Sequence, residues 1–154
     1  MIPYLLIVIA FVADRVSKQW ATDYFAEHGS IQINQYFTLR QTFNEGVAFG
    51  LFQGIGPWVG WLTILLVIGM LVYLVQTPKS EWVTRLGLGL LIGGALGNMV
   101  DRIVNGRVLD FIESPLRPGI FNVADIAINV GMVIIIIGSL MYDRKNKSTA
   151  VSEN

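Results

Sequence analysis

Cysteine is absent from the sequence, and histidine occurs only once, as His28. Without thiols the chain has no disulfides, no thiolate metal site and no cysteine nucleophile. His28 alone is too little for a histidine metal site or a Ser-His triad, and we interpret it as a solvated loop or interface residue. We therefore expect no metal and no cofactor, and the remaining chemistry belongs mainly to carboxylates and amides.

Charged residues are also scarce. They make up 14% of the 154 residues, compared with roughly 25% in soluble domains. Hydrophobic residues make up 53%, and the mean hydropathy is +0.57. The net charge is zero, so nothing attracts nucleic acid electrostatically and we expect no nucleic-acid partner. This composition predicts an integral membrane protein.

Four stretches are mostly apolar over about 20 residues, the length needed to cross a bilayer. They lie in one membrane domain, residues 1–154, at about 3–25, 57–76, 84–104 and 121–142. The first stretch resembles a secretory signal, but no Lys or Arg precedes its apolar run and its helical pattern continues to Tyr24. We therefore expect an uncleaved first membrane helix.

Basic residues predict the orientation in the membrane. Four spans place both termini, including the tail 143–154, on one side. Basic residues that belong to polar clusters of the helices are left out of the count. The side of the termini then has five basic residues, Lys79, Arg85, Arg144, Lys145 and Lys147, and the opposite side has three, Arg40, Arg107 and Arg117. This excess predicts cytoplasmic termini. The second span carries no charged residue, so we expect the polar interior between the other three.

The long connection 26–56 lies on the outer side in this orientation. Apolar and polar residues alternate along SIQINQYFTLRQTF, which predicts strands with a turn at Asn34–Gln35. The following NEGVAFGLFQGIGP predicts a short interfacial helix or re-entrant turn. The second outer connection is 105–120, and we expect a Pro/Gly-rich loop between Asp110 and Asp125 that returns to the same membrane face. The predicted fold is an all-α integral membrane protein with four transmembrane helices, a small extracytoplasmic β-sheet and a short interfacial helix.

Two polar clusters lie inside predicted helices. Asp14 and Lys18, in ADRVSK, are four residues apart and therefore share a helix face, where they can neutralise each other. In GGALGNMVDR, glycines allow a neighbouring helix to approach closely, and the polar residues Asn98, Asp101 and Arg102 share one face. Such groups are costly in a membrane unless they are paired or functional.

Two further clusters flank the predicted loop. Asp110 has apolar neighbours, and Asn122, Asp125 and Asn129 form one stripe at the start of the fourth helix. Asp125 alone would be a helix-start acid favoured by the dipole. Because Asp110 lies across the loop, however, the two carboxyls can converge, and only one then ionises cheaply. Such a pair can activate water for amide hydrolysis. We interpret Glu113 as a solvated loop acid.

Five segments together resemble the signature blocks of bacterial lipoprotein signal peptidase, also called signal peptidase II or prolipoprotein signal peptidase. In chain order they are ADRVSK, TFNEGVAFG, GGALGNMVDR, VLDFI and FNVAD. The resemblance implies an inner-membrane aspartic endopeptidase that cuts diacylglyceryl-modified prolipoproteins just before the lipidated cysteine. It also implies a site near the extracytoplasmic face, contact with membrane lipid and inhibition by the cyclic peptide globomycin. We expect a monomer.

The same resemblance assigns roles to individual positions. It implies that Asp110 and Asp125 are the catalytic pair. Seven other positions match residues that shape or support the family's site, and two more are candidates from their spacing: Asp14, Lys18, Asn44, Gly46, Asn98, Arg102 and Asn122 by motif, and Asp101 and Asn129 by spacing. We expect Asn98 and Arg102 to hold the substrate backbone, and Asp14 with Lys18 to hold the first helix in register. Asn44 and the glycines after it are expected to close over the peptide.

Two other classes of protein compete with this interpretation. A small proton- or ion-coupled membrane transporter also places acids, amides and arginine in the membrane. It predicts polar residues through the full bilayer depth, whereas MVIIIIGSLM in the fourth span offers no relay. A structural membrane subunit predicts acids paired with bases, whereas Asp110 and Asp125 have no obvious basic partners beyond Arg102 and Arg107.

Overall fold

The computed structural model describes residues 1–45 and 55–152. Within these residues the chain forms four helices and four short strands. The helices are α1 (Ile2–His28), α2 (Gly56–Gln76), α3 (Trp82–Asn105) and α4 (Val123–Ser152), and the strands are β1 (Ile31–Gln32), β2 (Thr38–Asn44), β3 (Val108–Ser114) and β4 (Arg117–Phe121). The predicted interfacial helix falls mainly on residues 46–54, outside the described residues.

Among the described residues, three helices are long and apolar enough to cross a membrane. They cover Pro57–Gln76, Trp82–Asn105 and Val123–Arg144, close to the predicted spans 57–76, 84–104 and 121–142. The predicted span 3–25 is one continuous helix, α1. Its middle carries Asp14, Arg15 and Lys18, and these three charges set it apart from the other helices.

The central helix is α3, which contacts each of the other three helices. Glycines on its surface make this close packing possible. A Cβ atom added at Gly93 would lie 2.6 Å from the Ile7 carbonyl oxygen of α1, and one added at Gly94 would lie 2.5 Å from the Ala124 carbonyl oxygen of α4. No larger residue fits at these separations. Gly97, one turn after Gly93, also packs on α1, where an added Cβ would clash with the Asp14 carboxylate. The predicted small-residue face, Gly93 with Gly97, is therefore confirmed.

The strands form one antiparallel sheet in the order β1-β2-β3-β4. The strands predicted within 26–56 are confirmed as β1 and β2. The predicted turn between them is also present: the Asn34 side-chain oxygen accepts hydrogen bonds from the backbone N–H groups of Tyr36 and Phe37, at 2.8 and 3.0 Å. This side chain thus replaces the backbone partners that a turn leaves unsatisfied.

The Pro/Gly-rich loop predicted between Asp110 and Asp125 is mostly paired strand, since the connection 105–120 forms the hairpin β3–β4. Pro118 lies in β4, which is an edge strand, and an edge strand tolerates a residue that cannot donate to the ladder. The Glu113 side chain is 41% exposed to solvent, but the residue lies in β3 and forms a two-point ion pair with Arg40 of β2, at 2.6 and 3.1 Å. Hydrogen bonding to the Arg40 guanidinium lowers the pKa of Glu113.

A small apolar cluster joins the sheet to α1. Leu109 and Phe111 of β3 are buried against Ala21 and Phe25 near the end of α1. Because successive side chains of a strand point to opposite faces, Asp110 points away from this cluster. The packing of β3 on α1 therefore orients the Asp110 carboxyl toward the first turn of α4.

Candidate active site

The two acids of the candidate pair meet at one asparagine. Asp110 lies in β3 and is only 4% exposed, whereas Asp125 lies in the first turn of α4 and is half-buried. The Asn122 side-chain Nδ2 donates to Asp110 Oδ1 at 2.6 Å, and its backbone N–H donates to Asp125 Oδ2 at 3.2 Å. One residue between β4 and α4 thus holds both carboxylates.

Asn122 also caps α4. Its Oδ1 accepts the backbone N–H of Asp125 at 3.0 Å, and the Asp125 carboxylate accepts the backbone N–H of Asn122 in return. This reciprocal arrangement is a capping box, which satisfies backbone groups that a helix start otherwise leaves without partners. The positive end of the helix dipole also favours a negative charge at Asp125. The sequence NVAD therefore fixes the position of one acid at the start of α4.

The surroundings of Asp110 favour its neutral form. Burial is the larger cause, and repulsion by the nearby Asp125 carboxylate is the next. Hydrogen bonds from Asn44 Nδ2, at 3.2 Å, and from Asn122 act in the opposite direction. Together these effects raise the pKa of Asp110 from 3.8 to about 6. The two acids therefore differ in environment, and such a difference separates a proton donor from a proton acceptor.

Asn98 of α3 connects the acids to the polar residues of α1. Its Nδ2 donates to Asp125 Oδ1 at 2.9 Å. Its Oδ1 accepts from Lys18 Nζ at 2.9 Å and from Asn122 Nδ2 at 3.1 Å. Asn98 is buried, and these contacts are all to the protein itself.

The polar residues of α1 form a buried ionic cluster with α3. Lys18 Nζ lies 2.8 Å from Asp14 Oδ2 and 2.7 Å from Asp101 Oδ2, so the predicted pairing of Asp14 with Lys18 is confirmed. Arg15 also forms an ion pair with Asp101. In addition, Asp14 Oδ1 accepts the backbone N–H of Ala124 at 3.0 Å. The cluster therefore ties α1 to the first turn of α4, next to Asp125.

The remaining predicted residues have different positions. Arg102 of α3 is close enough to Asp101, Asp110 and Asp125 to interact with them electrostatically. Asn129 is exposed on α4, and none of the side-chain hydrogen bonds of the site among the described residues involves its amide, so the structure does not bring it into this network. Gly46 lies outside the described residues.

Arg15 was not among the predicted site residues. The spacing of four along α1 connected Asp14 to Lys18 and left Arg15 on another face. Asp101 could have indicated this contact. It is an acid of α3 with no basic residue one turn before it, so a basic residue of another helix was needed to neutralise its charge. For metal binding, the part of the chain that the structure describes contains no group of three or more His, Cys, Asp or Glu side chains placed to hold an ion.

This arrangement has the components of acid–base hydrolysis. The pKa of one carboxyl, Asp110, is raised, the other, Asp125, accepts two N–H groups at a helix start, and both are held by Asn122. A water molecule placed between such groups can lose a proton to one while the other protonates a carbonyl oxygen. The chain supplies both functions without a nucleophilic side chain.

Comparison with known proteins gives consistent results. The sequence profile of the family described as "Signal peptidase (SPase) II" matches residues 6–141. The chain is 37% identical to a lipoprotein signal peptidase of Shewanella loihica over 97% of its own length and 92% of that protein. It is 36% identical to a lipoprotein signal peptidase of Gloeobacter violaceus, over 96% of its own length and 86% of that protein.

A solved bacterial membrane enzyme has the same overall structure. It superposes with a TM-score of 0.81 at 27% sequence identity, and the match covers 94% of this chain and 90% of the other. A second such structure gives a TM-score of 0.79 over 90% of this chain. The similarity therefore extends across helices and sheet together.

Proposed function

The chain belongs to the signal peptidase II family, and from the geometry of its site we propose that Asp110 and Asp125 are its catalytic pair. The protein is an aspartic endopeptidase that removes signal peptides from prolipoproteins. The observation that carries the assignment is the position of Asn122, which donates to both carboxylates at once. Two acids held in this way can act together on one water molecule.

The other residues of the network support this pair. Asn44 and Asn122 orient Asp110, and Asn98 orients Asp125. Because the contacts of Asn98 lie inside the protein, they favour a supporting role over the expected contact with the substrate backbone. Arg102, with a charge next to both acids, remains our candidate for holding that backbone.

We also propose that α1 is a fourth transmembrane helix. Its charged residues face α3 and neutralise one another, so their cost in a membrane is reduced. Its outward face is apolar: Leu5, Val8, Ile9, Val12 and Val16 are all exposed. Four spans place both termini on one side, which the basic residues assign to the cytoplasm. The site and the sheet then lie at the extracytoplasmic face of the bacterial inner membrane.

This placement fits the substrate that the family acts on. A prolipoprotein whose cysteine carries diacylglycerol is held in the membrane by its lipid chains. A catalytic pair at the outer end of the helices can reach the peptide bond before that cysteine while the lipid remains in the bilayer. Globomycin is expected to bind at the same position and to block it.

Cleavage of a diacylglyceryl-modified prolipoprotein peptide by purified protein tests the assignment. Wild type should release the signal peptide, and globomycin should prevent this. Asp110→Asn and Asp125→Asn should each reduce kcat by at least about 10³-fold, since each acid is needed in every cycle. Asp143→Asn, which removes an exposed acid of α4, is the matched control and should retain full activity.

Folding of each variant is checked by circular dichroism and size-exclusion chromatography in detergent. Turnover by either folded catalytic variant would remove that acid from the mechanism. Failure of the folded wild type to cleave the lipidated peptide would contradict the proposed reaction as a whole.

A further inference from the structure

We propose that Lys18 is a positioning residue, which fixes the orientation of the Asn98 amide so that Asp125 removes the proton from water and Asp110 is the proton donor. This inference rests on the proposed catalytic pair. It concerns two points that the pair alone leaves open: which acid has which role, and what a buried lysine of α1 contributes to the reaction.

The lysine side chain can only donate hydrogen bonds. An ammonium group carries three N–H donors and no acceptor. Lys18 is buried, and three oxygens surround its Nζ within 3 Å, at 2.8, 2.7 and 2.9 Å: Asp14 Oδ2, Asp101 Oδ2 and Asn98 Oδ1. Because Lys18 only donates, the Asn98 amide must present its oxygen to α1 and its nitrogen to the opposite side.

The orientation of the Asn98 amide determines which of its atoms faces the catalytic pair. With its oxygen toward Lys18, Asn98 presents Nδ2 to Asp125 Oδ1 at 2.9 Å. The Asn98 oxygen also accepts from Asn122 Nδ2 at 3.1 Å, which leaves Asn122 Oδ1 facing α4 to accept the Asp125 backbone N–H. Reversing either amide would place donor against donor. Lys18 thus determines the direction of the whole chain of hydrogen bonds.

The two acids therefore differ in the hydrogen bonds that they accept. Asp125 receives N–H groups from Asn98 and from the Asn122 backbone, at a helix start where the dipole also favours an anion. Asp110 lies in a strand, is almost fully buried, and has a pKa raised to about 6 by burial first and by Asp125 second. The proton that the pair retains therefore resides on Asp110.

These roles give a balanced reaction. The Asp125 carboxylate takes one proton from water as the water oxygen bonds to the carbonyl carbon of the scissile amide, and Asp110 protonates the carbonyl oxygen. The carbon–nitrogen bond then breaks as Asp125 returns its proton to the leaving nitrogen. Asp110 recovers a proton from the hydroxyl as the carboxylic acid product forms, so both acids finish in their starting states.

Lys18 reaches Asp125 through Asn98, to which it donates at 2.9 Å and which donates to Asp125 at 2.9 Å, and its charge also acts directly on Asp110, where it lowers the pKa. Asp110 faces Asp125 from β3, and Arg102 from α3. The cluster behind Asn98 contains two acids and two bases, whose formal charges cancel: Asp14 and Asp101 with Arg15 and Lys18. Since the cluster has no net charge, its effect on Asp125 depends on the Asn98 amide that Lys18 orients.

The pH dependence of kcat/KM tests the role of Lys18. The variant is Lys18→Met combined with Asp101→Asn, which removes the donor while keeping the cluster neutral. Without Lys18 the Asn98 amide can reverse and withdraw its donor from Asp125, so the acidic limb of the profile should move up by about one pH unit. Lys18→Arg keeps a donor-only group and should restore the wild-type limb. Asp23→Asn, an exposed acid of α1, is the control and should leave the profile unchanged.

A second variant covers the case in which the double variant does not fold. Asn98→Leu has nearly the same shape and adds no charge, but it removes the donor that Asn98 turns toward Asp125. Its acidic limb should move up by at least as much as that of the double variant. If either folded variant lowers kcat with the acidic limb unmoved, Lys18 has a structural role only and the inference is wrong.

The carbonyl stretch of a protonated carboxyl identifies the acid that holds the proton. Infrared spectra of the wild type should show a carboxylic acid band that titrates near pH 6. This band should be absent in Asp110→Asn. In Asp125→Asn it should persist and titrate at lower pH, because the loss of a neighbouring charge lowers the pKa of Asp110. A band that disappears only in Asp125→Asn would reverse the two roles.

These outcomes are separate from those that test the catalytic pair. Activity in folded Asp110→Asn or Asp125→Asn would contradict the proposed function itself. The other outcome is that both catalytic variants are inactive while the pH profile of kcat/KM is unchanged in the Lys18 and Asn98 variants. This result would leave the proposed function in place and overturn only the role of Lys18.

Discussion

Replacing Asp110 with asparagine should stabilise the fold progressively as the pH rises. Burial and the Asp125 carboxylate raise the pKa of Asp110 from 3.8 to about 6, so the folded protein binds this proton more tightly than the unfolded chain does. The stability that this proton provides is complete below about pH 4 and is lost as the pH rises through about 6. Asparagine does not titrate, so the variant avoids this loss.

The size of the effect follows from the same two pKa values. A difference of about two pH units corresponds to about 3 kcal/mol in the free energy of unfolding. Of this, about 1 kcal/mol is lost between about pH 5 and about pH 8, because part of the titration lies below that range. The variant also loses one oxygen that accepts hydrogen bonds, but that cost does not change with pH. The informative quantity is therefore the change with pH.

Thermal unfolding in detergent, followed by tryptophan fluorescence, measures this change. The Tm of Asp110→Asn relative to wild type should rise by about 2–4 °C between about pH 5 and about pH 8. The same difference for Asp143→Asn, an exposed acid, should remain flat. A Tm difference for Asp110→Asn that is constant, or that falls with pH, would show that the carboxyl is ordinary in the folded state.

Two other predictions concern the packing of α3. Gly94→Leu should lower both the Tm and the cleavage rate, because even an added Cβ would lie 2.5 Å from the carbonyl oxygen of Ala124, the residue before Asp125. Gly69→Leu is the control and should change neither, because nothing lies within 4 Å of a Cβ added there. Equal Tm values for the two variants would show that the α3–α4 contact can widen freely. Arg85→Met should lower the free energy of unfolding by about 1–3 kcal/mol, because Arg85 Nη1 donates to two carbonyl oxygens at the end of α2, at 2.7 and 2.5 Å. Denaturant unfolding should show no such loss for Lys79→Met, an exposed neighbour; equal losses would mean that these two hydrogen bonds add nothing.

Apolar length was sufficient to predict the spans within α2, α3 and α4. A membrane helix has all its backbone partners within itself, so its signal is local to the sequence. The α1 helix was predicted in the same way, and its charges find partners in α3. The hairpin β3–β4 was missed because its strands are stabilised by pairing with β2 and by burial against α1, and neither contact can be read from the segment itself.

The role of Asn122 shows a similar limit within the site. Its spacing from Asp125 indicated a shared helix face, and the family motif marked it as a supporting residue. What could not be predicted is that its side chain would reach Asp110, because that contact depends on the return of β3 and β4 to the start of α4. Motif spacing predicted which residues meet, whereas the tertiary fold determines which atom of each is used.

The hydrogen bond between Asp14 and the Ala124 backbone has a consequence for biosynthesis. It joins residues 110 positions apart, in α1 and α4. On the proposed topology α1 enters the bilayer before α4, and until α4 arrives Asp14 can be neutralised within α1 by Lys18. The proposed active centre is then completed only when α4 packs against α1 and α3, because a nascent chain that lacks α4 contains only one of the two proposed catalytic acids, Asp110.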